Sequence, residues 1–333
     1  MEMNAVPISV LDQSFARSGN EAAQALQETL QMAQHCEQLG YRRFWVSEHH
    51  AFAAVAGSAP EVLLAALGGV TKTIRLGSGG VMLPHYSPYK VAEQFSLLAN
   101  LYPRRIDLGI GRAPGGDMET AMALAPDGKP HFHEFPHQVE ALINYLRNDK
   151  AKPLVSPKPP AELPVWMLGS SADSAHLAAQ HGLRYTLGAF INPAASPSLI
   201  AAYKSHFVPG EQLPAPYAML AIGAFCADSE AQARALQRTY DVNFFRFVTG
   251  QSNGTFLPPH EAMNVPVSAA LQGFMNQREA LRAIGTPEQV HARLQELAKR
   301  YDVDEIMLVT NAYYFEDRLR SFELIKAAQS QDS

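Results

Sequence analysis

The chain of 333 residues is 47% apolar and 18% charged with a net charge of −5, a globular composition long enough for one large α/β barrel or two ordinary domains. Its lysines and arginines are neither abundant nor clustered, which argues against nucleic acid, and no apolar run approaches the roughly 18 residues of a membrane span. The N-terminus has no basic region leading into an apolar stretch, and only Cys36 and Cys226 occur, far apart; neither a secretory leader, a disulfide framework nor a thiolate metal site is expected, and the expected location is cytoplasmic.

In chain order, residues 6–11 predict a first strand. Residues 21–39 predict an amphipathic helix, with Leu26, Leu30, Ala33 and Cys36 at helical spacing and Gly40 placed to end it. Strand two covers 43–47 and helix two 60–68, with Pro60 near its first turn. A glycine-interrupted third strand lies within 74–83, helix three covers 88–100 and strand four 105–110. Residues 111–136 read as a long Gly/Pro/His-rich excursion, too polar and broken for a buried element. Helix four covers 137–147, strand five 165–168 and helix five 172–180, closed by Gly182. A weak strand six at 185–187 precedes helix six at 199–203, strand seven at 217–225 and helix seven at 229–247. Residues 249–275 read as an insertion with a short helix around Ala269, expected to be a mobile loop over the active site. Strand eight covers 305–310 and the last helix 315–328.

Strand and helix thus alternate about eight times. No Gly-x-Gly-x-x-Gly run follows the first strand, which disfavours a dinucleotide-binding fold. The expected architecture is a (β/α)8 TIM barrel forming a single domain over 1–333, with the long insertion before the last β/α unit.

Chemistry gathers at the predicted strand ends. Glu48, His49 and His50 close strand two, where a carboxylate beside an imidazole can set its tautomer and basicity. The His-Glu-x-x-His spacing of a zinc site is missing. Gly77, Gly79 and Gly80 are costly in a strand and suggest a flat or bulky group against bare backbone, with a β-bulge as the plainer reading. Ser78 fits either a site or a barrel-core hydroxyl. Arg112, flanked by Gly111 and a Pro-Gly-Gly turn, stands just beyond strand four and could clamp a phosphate. Ser170, Ser171 and Ser174 open helix five, whose first-turn amides make an anion site; capping without a ligand is the plainer reading of the serines alone. Trp45 and Trp166 read as core, His85 and Tyr86 as residues edging the cavity, and His131, His133 and His137 lack metal-ligand spacing.

An ordered set of motifs runs through nearly the whole chain: Trp45-Val46-Ser47-Glu48-His49-His50, Leu76-Gly77-Ser78-Gly79-Gly80-Val81-Met82-Leu83-Pro84, Arg105-Ile106-Asp107-Leu108-Gly109-Ile110-Gly111-Arg112 and Trp166-Met167-Leu168-Gly169-Ser170-Ser171. Ala178-Ala179-Gln180-His181-Gly182, Gly285-Thr286-Pro287 and Asp304-Glu305-Ile306-Met307 continue it. With these the sequence resembles the bacterial luciferase-like flavin-dependent monooxygenases, in particular their small intracellular members. The resemblance implies a barrel holding reduced FMN at the C-terminal ends of its strands. His49 then stands near the reactive face of the flavin with Glu48 as the neighbouring cavity carboxylate. Gly79 and Gly80, joined by a non-proline cis peptide, flank the ring together with Ser78 and Gly111. Arg112, Ser170, Ser171 and Ser174 hold the phosphate. Luciferase itself carries a reactive cysteine where this chain has Gly111 and a glutamate where it has Ser170, so light emission and long-chain aldehyde specificity are not expected.

The implied reaction is oxygenation of a small organic substrate with O2 and reduced FMN, the reduced flavin coming from a separate NAD(P)H-dependent flavin reductase. The implied assembly is a homodimer packed through helices two and three. The alternatives are an oxidoreductase using the deazaflavin F420 and a non-catalytic flavin-binding protein. No metal, nucleic acid or membrane partner is expected.

Overall fold

In a computed structural model, residues 6–17, 22–125, 127–252 and 255–330 are described. The N-terminal five residues, Glu21 of the predicted first helix, Pro126 of the predicted excursion, and Asn253 and Gly254 of the predicted insertion lie outside the described residues.

The first half of the barrel runs β1 (Ile8–Asp12), α1 (Ala22–Gln38), β2 (Arg43–Val46), α2 (Pro60–Val70), β3 (Arg75–Ser78), β4 (Val81–Met82), α3 (Pro88–Leu101) and β5 (Ile106–Gly111). Next come α4 (Met118–Leu124), α5 (Phe135–Arg147), β6 (Val165–Gly169), α6 (Ala172–Gln180), β7 (Arg184–Gly188) and α7 (Pro197–Ser205). The chain finishes with β8 (Ala218–Cys226), α8 (Glu230–Val248), α9 (Pro259–Ala262), α10 (Ala269–Glu279), β9 (Arg282–Gly285), α11 (Pro287–Tyr301), β10 (Glu305–Val309) and α12 (Phe315–Ser330).

All strand pairings between named strands are parallel, in the order β10-β1-β2-β3-β5-β6-β7-β8, and β8 pairs back to β10 to close the ring. The closed ring is the expected (β/α)8 barrel. The third strand is interrupted: β3 pairs with the start of β5, the chain turns at the cis peptide Gly79–Gly80, and β4 pairs with the end of β5.

Two large apolar layers result. Inside the ring, Leu11, Trp45, Trp166, Met219, Ala221, Met307 and Val309 fill the barrel, with the two tryptophan rings edge to face at 5.1 Å. Outside it, the alternate residues of the strands meet the helices, as Phe44, Leu76, Leu108 and Ile306 do.

The N-terminal end of the barrel is closed by ions instead. Asp107 and Glu305, both fully buried, hold Arg43 between them at 2.8 and 2.9 Å, and Arg75 reaches Asp107 at 2.6 Å. Ser9 and Tyr217 donate hydroxyls to Glu305, and the Arg43 guanidinium stacks over Trp166. Each charge has a partner, which is the condition for burying it. This end is stapled shut and leaves the opposite end for chemistry.

Three readings of the sequence change. Residues 111–136 hold the helix α4, capped by Asp117 accepting from the Thr120 amide, with Ala121 fully buried. The flanking glycines and prolines hide this short run of good helix formers. The predicted helix seven, α8, is not the barrel helix of its unit. It packs on β8, β9, α9 and α10 and, among the described residues, on no other barrel strand, whereas α11 packs on β8 and β9 but also on β10, α7 and α12. The insertion therefore begins directly after β8 and ends with β9, which pairs only with the last four residues of β8. Helix α11 is not among the predicted helices, although Thr286, Pro287 and Gln289 spell a capping box with proline in its first turn.

Candidate active site

At the C-terminal ends of the strands lies a cavity of about 1000 Å³. Its floor is apolar: Leu11, Leu168, Ala221 and Met307 come from four different strands, and Phe190 and Ile191 flank it. Gly79, Gly80 and Gly111 contribute bare backbone. At the other side stand Arg112 and the start of α6, with Ser170, Ser171, Asp173 and Ser174.

The chain builds the polar side from two strand ends. Helix α6 starts at Ser171, whose hydroxyl accepts from the Ser174 amide, while the Ser171 amide donates to the Ser174 hydroxyl; both bonds are long, 3.4 Å. Gly169 allows this approach, since a Cβ there would meet the Ser174 hydroxyl at 2.1 Å. Ser174 also lies 3.3 Å from the Tyr185 hydroxyl, a phenol pushed up to about 12 by burial. Arg112 is half exposed and faces Asp173 at 3.9 Å, both groups in water, so this ion pair contributes little to the fold and leaves the guanidinium available.

The loop after Arg112 is pinned from below. The His50 amide donates to the Gly115 carbonyl at 2.8 Å, and the His85 ring bonds the Pro114 carbonyl at 2.7 Å. Gly115 has a φ of +68°, a conformation that favours glycine, so the turn that carries Arg112 into the cavity depends on it.

Seven of the ten residues singled out in the sequence thus line one cavity: Gly79, Gly80, Gly111, Arg112, Ser170, Ser171 and Ser174. Ser78, Glu48 and His49 are not among its walls. Ser78 is fully buried and exchanges hydrogen bonds with the Gly109 carbonyl and amide at 2.8 and 2.9 Å, clamping β3 to β5. Glu48 is also fully buried and accepts from the Met82 amide, the Tyr86 hydroxyl and the His50 ring at 3.0, 2.8 and 2.8 Å. It ties the end of β2 to the backbone of β4, directly beside the Gly79–Gly80 turn. Its charge and the burial of the ring push the Tyr86 phenol well above its ordinary value.

His49 is partly buried between Gln13, whose amide nitrogen lies 3.3 Å from Nε2, and the ring of Phe52. Burial pushes its pKa below the ordinary value, against the opposing pull of the Glu48 carboxylate. The sequence reading did not single out Gln13, Met82, Leu168, Phe190 or Met307. Each lies in or next to a strand end; Met82, Leu168 and Met307 also stand within the quoted motifs, whereas only their place in the barrel marks Gln13 and Phe190.

His131 pairs with Asp127, and His133 and His137 share Glu134, all on the surface. Among the described residues no group of three or more His, Cys, Asp or Glu is disposed to hold a metal ion.

The model of the luciferase-like monooxygenase family matches residues 6–303. The chain belongs to the luciferase-like monooxygenase family. It is 42% identical to the uncharacterized protein YwcH of Bacillus subtilis (strain 168), covering 97% of this chain and 99% of that one. It is 37% identical to the luciferase-like monooxygenase of Escherichia coli (strain K12), with 96% of both chains covered. The crystal structure of apo-MsnO8 superposes with a TM-score of 0.91 at 36% identity, covering 97% of this chain and 98% of that one. The cis peptide that the resemblance implies is present in this chain, between Gly79 and Gly80.

Proposed function

We propose that the protein is a flavin-dependent monooxygenase that takes reduced FMN as a co-substrate with O2 and a small organic substrate. The observation that carries this reading is a single cavity joining bare glycine backbone and an apolar floor to a guanidinium, two hydroxyls and a helix N-terminus capped by long bonds.

The donor set suits such a ligand. Arg112 supplies a bidentate cation for a phosphate, Ser171 and Ser174 supply hydroxyls now engaged only in long or local bonds, and the first-turn amides of α6 add their dipoles. At Gly111 a Cβ would find nothing closer than 3.9 Å, so the wall there is open where a planar ring needs room. Reduced FMN supplies the electrons with which one oxygen atom of O2 enters the substrate and the other leaves as water. The protein's part is to orient and to exclude water. Leu11, Leu168, Ala221 and Met307 keep the floor dry, Glu48 holds the turn that presents Gly79 and Gly80, and His49, outside the cavity walls, holds a proton on its ring.

Delivery of the reduced flavin by a separate NAD(P)H-dependent reductase is part of the same reading, supported by the missing dinucleotide fingerprint after β1. A cytoplasmic setting agrees with two buried free cysteines. A homodimer is proposed through α2 and α3, where Val62, Leu97 and Leu101 are each more than half exposed; sedimentation is expected to report twice the 36.4 kDa chain mass, and a monomer overturns it.

Anaerobic titration with reduced FMN tests the cofactor. Arg112→Ala is expected to weaken binding about tenfold to a hundredfold, the range of a lost hydrogen bond to a charged group. Unchanged affinity overturns the phosphate contact, and tighter binding of F420 than of FMN overturns the cofactor.

A further inference from the structure

Three neighbouring strand ends carry a string of side chains that the sequence did not announce. Gln13 follows β1, His49 lies three residues past β2, and Asn311 lies two past β10. The Asn311 amide nitrogen donates to the Gln13 carbonyl oxygen at 2.5 Å, and the Gln13 amide nitrogen lies 3.3 Å from His49 Nε2.

We propose that Gln13 and Asn311 are positioning residues that fix the His49 ring as the neutral tautomer with its proton on Nδ1. This deepens the reading of His49 as the proton-holding group of the site and rests on it. The argument is one of donor count. An amide nitrogen only donates, so the ring nitrogen facing it must accept and carries no proton. Asn311, 93% buried, spends a donor on the Gln13 oxygen and so decides which end of the Gln13 amide meets the ring. Asn311 also hydrogen-bonds the half-buried Tyr240 phenol on α8, which roots the string in the insertion. A doubly protonated ring would set N–H against N–H across 3.3 Å.

The other groups facing the ring are the Glu48 carboxylate, which favours a charged ring, the His50 imidazole, which opposes it, the Gly115 carbonyl and the Phe52 ring. Phe52 is in turn held edge-on by Phe247 at 4.2 Å. In this state the His49 N–H sits on Nδ1, with the Gly115 carbonyl as the ring's backbone acceptor, while Nε2 is already engaged by Gln13. The ring is set to donate a hydrogen bond or a proton, and Gln13 blocks its use as a base at Nε2.

The test is ¹⁵N-histidine NMR on the full chain, with two-bond correlations reporting which ring nitrogen carries hydrogen. His49 is assigned by its loss in His49→Gln. The expected wild-type result near neutral pH is a protonated Nδ1 and a bare Nε2. Gln13→Glu places an acceptor opposite Nε2; it should move the proton there and raise the titration midpoint by about one unit or more. A wild-type ring protonated on Nε2 overturns the proposal, as does a Gln13→Glu protein with tautomer and midpoint unchanged. If Gln13→Glu fails to fold, the wild-type spectrum and Asn311→Ala decide: freeing the Gln13 amide should mix the two tautomers, and an unmixed spectrum removes Asn311 from the string. Turnover separates this from the reading beneath it. An Nδ1–H ring in a protein whose His49→Gln variant oxygenates at the wild-type rate sustains the string and takes His49 out of the chemistry.

Discussion

Replacing Asp107 with alanine is expected to destabilise the fold by about 3–5 kcal/mol, the cost of leaving a buried charge without its partner. The carboxylate is fully buried and binds Arg43 at 2.8 Å and Arg75 at 2.6 Å, and it accepts from the Trp45 indole at 3.3 Å. Alanine strands the Arg43 guanidinium in the barrel floor with Glu305 as its one remaining carboxylate. Denaturant unfolding reads the loss as a lower midpoint, and a change below about 1 kcal/mol would show that the network is not what closes this end. Asp107→Asn keeps the shape without the charge and should lie on the same side of wild type.

The same group predicts acid behaviour. Burial alone would raise the Asp107 carboxyl; Arg43 and Arg75 outweigh burial and hold it below the ordinary value. A folded-state pKa below the unfolded one means that the stabilisation is complete above the unfolded value, near 3.9, and is lost as pH falls through the lower folded value. Wild-type stability should therefore fall off below about pH 4, and Asp107→Ala should lack this group's share of the fall.

Asp241→Ala is expected to cost a similar amount, about 3–5 kcal/mol, but in a different part of the molecule. Asp241 on α8 and Arg282 on β9 form a buried two-bond pair, both at 2.7 Å, and are the strongest link between the insertion's helix and its strand. Alanine leaves the Arg282 charge buried. Hydrogen exchange should rise across α8 and β9 while the barrel strands stay protected, because β9 hangs on only the last four residues of β8. Adding Arg282→Met should recover most of the loss, since an apolar side chain removes the stranded charge. Uniform exchange across barrel and insertion would mean that the two unfold as one unit and that the insertion is not separately anchored.

Much of this was legible beforehand because it is local. Short runs dominated by Ile, Leu and Val, such as Ile8 to Leu11 and Ile106 to Ile110, read as strands buried on both faces, as parallel strands are. Ser171 and Ser174 sat at the start of a helix with amides to spare, and the structure finds them capping it. Helix α11 was equally legible through Thr286-Pro287-Glu288-Gln289, a capping box, but the predicted helix seven already filled the place between strands seven and eight. Helix α8 misled for the opposite reason. Its periodicity is that of any helix beside a sheet, and nothing in it says whether that sheet is the ring or the appended β9.

The site divides along the same line. Residue types and order alone determined the barrel, the glycine backbone in its wall, and the phosphate-type donors at two adjacent strand ends, because these follow from propensity, capping and bare main chain. Only the closed ring decided where side chains at the ends of strands turn. Glu48 is drawn inward by the Met82 amide, Tyr86 and His50, and Gln13 and Asn311 meet His49 across three strands that are far apart in sequence and adjacent in the sheet. The physical reason is that the direction of such a side chain depends on which donors and acceptors neighbouring strands leave unpaired, and that is fixed only when the ring closes.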